Sequence, residues 1–147
     1  MSCIIINKMT KEKKGEIRII GGKWKGKKIY FDLNDDLRPT PDRAKETLFN
    51  WLGQDLNKKY CLDLFSGTGA LGFEAFSRGA QKVTFVENYD LALKILKKNI
   101  KSFGIKNKSE IIEKNCFDLF ESKKIFKEKF NLIFMDPPYK EDKINLI

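Results

Sequence analysis

The sequence predicts an α/β fold in which parallel strands are wrapped by helices, preceded by a basic N-terminal β-ribbon. Three observations carry that reading. Short β-prone runs, YCLDLF, KVTFVE, the start of SEIIEKNCFDLF and NLIFMD, are separated by stretches with helical spacing. The turn SGTGALG is glycine-rich and opens directly into one of those helical stretches. Ahead of all of them lies a lysine-rich segment broken by glycines, whose two β-prone pieces suit a hairpin.

Residues 1–17 are expected to form a flexible leader. The opening MSCIIINKM has an apolar run too short for a signal-peptide core or a membrane span, and Met9 offers an alternative start. The ribbon is assigned to residues 18–37 and the α/β domain to residues 38–147. Within the ribbon, RIIGGKWKGKKIYF places lysines and Trp24 on one surface. After the acidic turn DLNDD, RPTPDRAKETLFNWL starts a helix, with Thr40 as its cap and Pro41 at its first position. Ala44, Thr47, Leu48 and Trp51 line one face of that helix at helical spacing.

YCLDLF is then a short strand, and SGTGALGFEAFSRG a tight turn and a helix that stops near Gly79. KVTFVE is the next strand, followed by an amphipathic helix from about Leu91 to Phe103 that Gly104 ends. SEIIEKNCFDLF gives a third strand and a turn, and KKIFKEKF is a basic connection to the last strand, NLIFMD. Strands alternating with helices imply a parallel sheet, and neither a repeat nor a linker divides it.

A chain of 147 residues with 41% hydrophobic and 33% charged residues suits one folded domain. Its net charge of +9 is uneven: residues 1–30 hold nine Lys or Arg against two Glu, whereas residues 61–90 hold two basic residues against four acidic ones. Uniform lysine enrichment would not leave an acidic middle, so the basic N-terminal segment is read as a nucleic-acid face. Three cysteines and no histidine give neither a disulfide framework nor a zinc cluster, which points to a reducing cytoplasm and no metal. Without histidine, Ser-His-Asp and Cys-His nucleophilic chemistry are excluded.

The stretch DLFSGTGALG carries the first chemical signal. Gly67, Gly69 and Gly72 match G-x-G-x-x-G, and Glu87 ends the following strand. Glycines let the backbone approach a nucleoside cofactor, and the acid can accept hydrogen bonds from a ribose diol. Asp63, just before the glycines, would repel a pyrophosphate but would attract a cationic sulfonium and amino-acid tail. Electrostatics therefore favours S-adenosylmethionine and methyl transfer over hydride transfer. The second signal is NLIFMDPPYK, where two prolines end a strand stiffly beside an acid and an aromatic ring.

Taken in order, DLFSGTGALGFEAFSRGA, VTFVE and FMDPPY resemble the Rossmann-like S-adenosylmethionine-dependent class I methyltransferases that modify exocyclic amines. With RIIGGKWKGKKI and RPTPDRAKETLFNWL included, the chain from about Gly15 onward resembles the bacterial 16S ribosomal RNA guanine-N2 methyltransferase family. The resemblance implies that Asp136 and the Pro137 carbonyl accept the two protons of the amine, directing its lone pair at the methyl group. Tyr139 would stack on the extruded base. For the cofactor it implies contacts from Asp63, Phe65, Ser66, Gly67, Thr68 and Gly69 to the methionine part, from Glu87 to the ribose, and from Asn115 and Cys116 beside the adenine. For RNA it implies Arg18, Lys23, Trp24, Lys25, Lys27 and Lys28 on the ribbon, with Arg38, Thr40 and Arg43 beside the active-site mouth. A tryptophan in such a ribbon also suits a core anchor, and Asn115 also suits a turn.

The partner implied is ribosomal RNA or an assembling small ribosomal subunit. Family members continue past the DPPY strand into further strands and helices, whereas this sequence ends at Ile147. The C-terminal strands are therefore expected to be missing, which fits a gene fragment, a decayed gene, or a short protein completed by another chain. Two alternatives stand beside guanine methylation. One is an amine methyltransferase acting on DNA adenine or a protein side chain; the other is a shortened, inactive chain that still grips RNA.

Overall fold

The computed structural model describes residues 14–32, 40–123, 127 and 129–137. Strands β1 (Lys14–Arg18) and β2 (Lys28–Asp32) pair antiparallel, with Ile17 opposite Ile29. The ribbon therefore begins before the expected boundary, and Ile17 is already core. Then follow α1 (Asp42–Leu52), β3 (Tyr60–Asp63), α2 (Ala70–Ser77), β4 (Lys82–Val86), α3 (Asp90–Ser102), β5 (Ser109–Ile112), α4 (Cys116–Ser122) and β6 (Leu132–Phe134). β3 to β6 form one parallel sheet in the order β5-β4-β3-β6. This is the predicted α/β arrangement, with the basic ribbon as a separate two-stranded sheet.

Alternating side chains divide the sheet into two buried faces, as the strand repeat of two requires. Cys61, Val83, Phe85 and Phe134 pack with Phe49 of α1, Phe73 and Phe76 of α2 and Leu96 of α3. On the other face Leu62, Leu64 and Val86 pack with Cys116 and Leu119 of α4. The chain builds outward from β3 to β5 on one side and returns to place β6 on the other. That reversal opens a crevice at the C-terminal ends of β3 and β6.

α2 lies between the sheet and the ribbon, and every one of its residues is buried. Gly72 permits this: a Cβ there would lie 2.2 Å from Cε1 of Phe85, so only glycine lets α2 press onto β4. On its other side Glu74 accepts hydrogen bonds from the N–H groups of Ile20 (3.0 Å) and Gly21 (2.9 Å). Ser77 accepts one from Trp24 N–H (2.9 Å) and donates one to Gly21 O (2.5 Å). The ribbon's backbone is thus tied to two side chains of the helix.

Two local expectations are corrected. The segment after β5 is helix α4, not a turn, and Asn115 caps it by accepting from Phe117 N–H at 2.9 Å. α1 begins at Asp42 with Pro41 in the cap position, and Thr40 makes no cap hydrogen bond. Of the four residues placed on one face of α1, Ala44, Thr47 and Trp51 are exposed, Trp51 by 83%, and Leu48 packs partly buried against the core, whereas Lys45 and Phe49 are fully buried. Lys45 is buried because its Nζ donates to Arg18 O (2.6 Å) and pairs with Glu74 (3.7 Å). Among the described residues, no helix is long and apolar enough to cross a membrane.

Candidate cofactor site and active centre

The loop leaving β3 is pinned from both sides. Leu64 N–H donates to Phe134 O (3.1 Å) at the end of β6, and Ser66 N–H donates to Val86 O (3.1 Å) at the end of β4. The Ser66 hydroxyl donates back to Asp63 O at 2.9 Å. Gly67 N–H then donates to Glu87 Oε2 (2.7 Å), while Glu87 Oε1 accepts from Asn88 and Tyr89 N–H, each at 3.0 Å. Both lone-pair sites of Oε1 are thus filled, and Oε2 keeps one for a further hydrogen bond.

These bonds hold Asp63 at the crevice floor, beside a cavity of about 40 Å³ that Phe65, Ser66, Gly67, Thr68, Thr40 and Asp136 also line. Asp63 is 1% exposed, and neither carboxylate oxygen has a hydrogen-bond partner at bonding distance and angle. An orphaned buried carboxylate costs several kcal/mol if it stays ionised, so its proton is held tightly. Burial, then the charges of Asp136 and Glu87, push Asp63 up to about 7; the N–H groups of Gly72 and Phe65 only partly offset this. Phe134 lies beside Asp63 in the sheet register, so Asp136 emerges two residues beyond that pairing and faces the same cavity. Its Oδ2 accepts from the Thr40 hydroxyl at 2.7 Å.

Chemically, this is a small polar cavity with two acids and no Lys or Arg among its lining residues. It repels phosphate and fits a cationic group, such as an ammonium or a sulfonium. Cys61, two residues before Asp63 on β3, is not a nucleophile at neutral pH, because burial and Asp63 push its thiol up to about 11. A larger groove of about 480 Å³ along Pro41, Arg43, Ala44, Thr47, Leu48 and Trp51 has no acid in its lining and carries no such chemistry.

Of the residues named from sequence, Asp63, Phe65, Ser66, Gly67, Thr68 and Asp136 come together at the cavity, with Pro137 next in the chain. Gly69 caps α2, and Glu87 reaches the loop through Gly67. Asn115 uses its side-chain oxygen to cap α4, and Cys116 is buried with Leu62 and Leu64. Beside them the Phe117 ring meets Phe65 edge-on at 6.2 Å, a neighbour that sequence reading missed. Arg18, Lys23, Lys25, Lys27 and Lys28 are exposed on the ribbon, and Lys28 pairs with Glu16 at 3.3 Å. Trp24 packs on Phe103 (4.8 Å) and Phe76 (6.4 Å), with Lys23 and Lys27 over its ring. Arg43 is exposed on α1; Arg38 and Tyr139 lie outside the described residues.

Sequence reading also missed the charged cluster behind the site. Glu74, fully buried, pairs with Arg78 (3.1 Å) and Lys45 (3.7 Å), and Arg78 donates to Gln54 at 2.7 Å. Burial lowers the Lys45 pKa, against the pull of Glu74 and Asp42. A single Glu inside the otherwise apolar ALGFEAF was the available signal.

The family model described as conserved hypothetical protein 95 matches residues 17–147. A ribosomal RNA small subunit methyltransferase D of Haemophilus influenzae is 43% identical over 131 residues, covering 88% of this chain and 67% of the relative. Its Escherichia coli K12 counterpart is 39% identical over 137 residues, covering 90% of this chain and 67% of the relative. This chain thus spans about two thirds of the length of these curated relatives. The solved structure of the Escherichia coli protein yhhF, provisionally described as a methyltransferase, superimposes with a TM-score of 0.75 at 38% identity. That match covers 89% of this chain and 69% of the other, and the Rossmann-like arrangement is common to both.

Proposed function

This chain belongs to the conserved hypothetical protein 95 family and is kin to the ribosomal RNA small subunit methyltransferases D, and on that premise we propose that it methylates ribosomal RNA. In finer detail, the proposed substrate is the exocyclic N2 amine of a guanine in 16S ribosomal RNA, presented free or on an assembling small subunit in the cytoplasm. The observation that carries the reading is Asp63: an unpartnered, buried carboxylate at the sheet reversal, beside a second acid, in a cavity suited to a cation. S-adenosylmethionine, when bound, supplies an electrophilic methyl group whose carbon–sulfur bond breaks as the amine nitrogen attacks, leaving a neutral thioether.

The chain's own residues have these proposed tasks. Asp63 gives up its proton and pairs with the cationic methionine end, and the Phe65–Gly69 loop surrounds that end. Glu87, already steadied by three N–H groups, accepts from a ribose hydroxyl with the lone pair left on Oε2. Asp136 and the Pro137 carbonyl accept the two amine protons, which holds the nitrogen lone pair toward the methyl group. The attacking nitrogen then loses one proton, to Asp136 or to water. Tyr139 stacks on the extruded base. The ribbon lysines and Arg18, with Arg38 and Arg43, hold the RNA backbone.

The test is to incubate the chain with methyl-labelled S-adenosylmethionine and ribosomal RNA, digest the RNA, and identify the labelled nucleoside. N2-methylguanosine is expected. Label in DNA adenine or in protein would move the substrate elsewhere within amine methylation. A second reading, an RNA-binding chain without transfer, is favoured by one observation: among the described residues β6 is an edge strand, with its Ile133 and the following Met135 exposed by 53% and 47%. An open apolar edge is a weak wall for a catalytic site. RNA binding without any cofactor binding would select that reading.

A further inference from the structure

The cavity's remaining polar corner is Thr40, contributed by neither the glycine loop nor the DPPY strand. Its hydroxyl donates to Asp136 Oδ2 at 2.7 Å, across 96 positions of sequence. Among the described residues this is the one hydrogen bond made by the Asp136 side chain, which is otherwise exposed. An exposed aspartate at a strand end turns freely about its side-chain bonds. The Thr40 hydroxyl opposes that freedom.

Thr40 can do this because α1, which begins two residues after it, is held in place. Lys45 N–H donates to Pro41 O at 3.1 Å, closing the first turn of α1. Lys45 Nζ reaches Arg18 O at 2.6 Å, and Phe49 meets Phe134 of β6 at 5.8 Å. Since α1 starts at Asp42 without a side-chain cap, the Thr40 hydroxyl is not engaged in capping and is free for Asp136. With Oδ2 tied, Oδ1 is the oxygen left for a substrate donor.

We propose that Thr40 is a positioning residue: it fixes one oxygen of Asp136 so that the other meets the exocyclic amine. The inference rests on the reading of Asp136 given above. Its test compares the unaltered chain with Thr40→Val, Thr40→Ser and Asp136→Ala, using labelled S-adenosylmethionine and ribosomal RNA. The carboxyl carbon resonance of Asp136 is followed alongside. Thr40→Val is expected to lower kcat by about 10- to 100-fold, the range for losing a hydrogen bond to a charged group. KM for the cofactor should stay within about threefold, because Asp63 and Glu87 are untouched. Thr40→Ser should recover most of the rate, and the Asp136 resonance should move in the Val variant and return in the Ser variant. A Thr40→Val enzyme at the full rate, with Asp136→Ala inactive, would overturn the role of Thr40 alone. So would equal losses in Val and Ser, or an unmoved resonance. Full activity in Asp136→Ala, or no transfer by the unaltered chain, would overturn the reading of Asp136 and this inference with it.

Discussion

The substitution Asp63→Asn removes a charge while keeping the shape, and the structure gives the size and sign of the effect. The carboxyl is raised from 3.8 to about 7, by burial first and then by Asp136 and Glu87. At about 1.4 kcal/mol per pKa unit, ionising it in the ligand-free fold costs roughly 4 kcal/mol. The folded chain keeps a proton that the unfolded chain loses between about pH 4 and pH 7. Stability from this group is therefore full below the unfolded value, falls as pH rises through the window, and stays low above it. The asparagine side chain cannot ionise, but its buried amide lacks partners at a cost of about 1–3 kcal/mol. The variant should thus gain about 1–3 kcal/mol at pH 8, where the ionisation cost is removed, and lose about 1–3 kcal/mol at pH 4, where only the amide penalty remains. At roughly 2–4 °C per kcal/mol for a chain of this size, melting followed by circular dichroism should rise by several degrees at pH 8 only. A variant destabilised equally at both pH values would refute the reasoning, since Asp63 would then be a satisfied structural acid.

Three further outcomes are expected. Glu74→Ala strands Lys45 and Arg78 in the core and releases Ile20 and Gly21 N–H; denaturant unfolding should show a loss of about 3–5 kcal/mol, and a loss below about 1 would show that water reaches the cluster. Gly22→Ala places a Cβ 2.0 Å from Ser77 O at a φ of +77°, so the ribbon must shift, with more than about 1 kcal/mol lost and faster hydrogen exchange at Trp24 N–H. Reversing the charges of Lys23, Lys25 and Lys27 should weaken RNA binding and flatten its dependence on salt by roughly one unit of slope per lost phosphate contact; an unchanged slope would move the RNA face away from the ribbon.

The succession of strands and helices, and the placing of Asp63 and Asp136 at strand ends, were legible because they depend on local pattern. YCLDLF, the glycines and Glu87 fix a strand, a turn and the next strand end, and alternation forces the crevice where Asp63 and Asp136 meet. α4 was missed although Asn115, Cys116 and Leu119 hold a cap and an i, i+3 apolar pair; its seven residues are too few for a clear period. The buried face of α1 was not legible for a deeper reason. Ala44, Leu48 and Trp51 form a good apolar stripe, but the position of Lys45 is decided by Glu74 and by Arg18 O, distant in sequence. The Thr40 contact is of the same kind: local chemistry favours a cap, and tertiary placement redirects the hydroxyl to Asp136.

Calorimetric titration of the purified chain with S-adenosylmethionine, at pH 6 and at pH 8.5, tests the central claim most directly. One site per chain is expected, tighter at pH 8.5 by about tenfold, with a proton released on binding at pH 6 and none at pH 8.5, because Asp63 must ionise to meet the cation. A cooperatively folded chain that takes up no cofactor, or binds it equally at both pH values without proton release, would contradict the assignment of the crevice at β3 and β6 as the cofactor site.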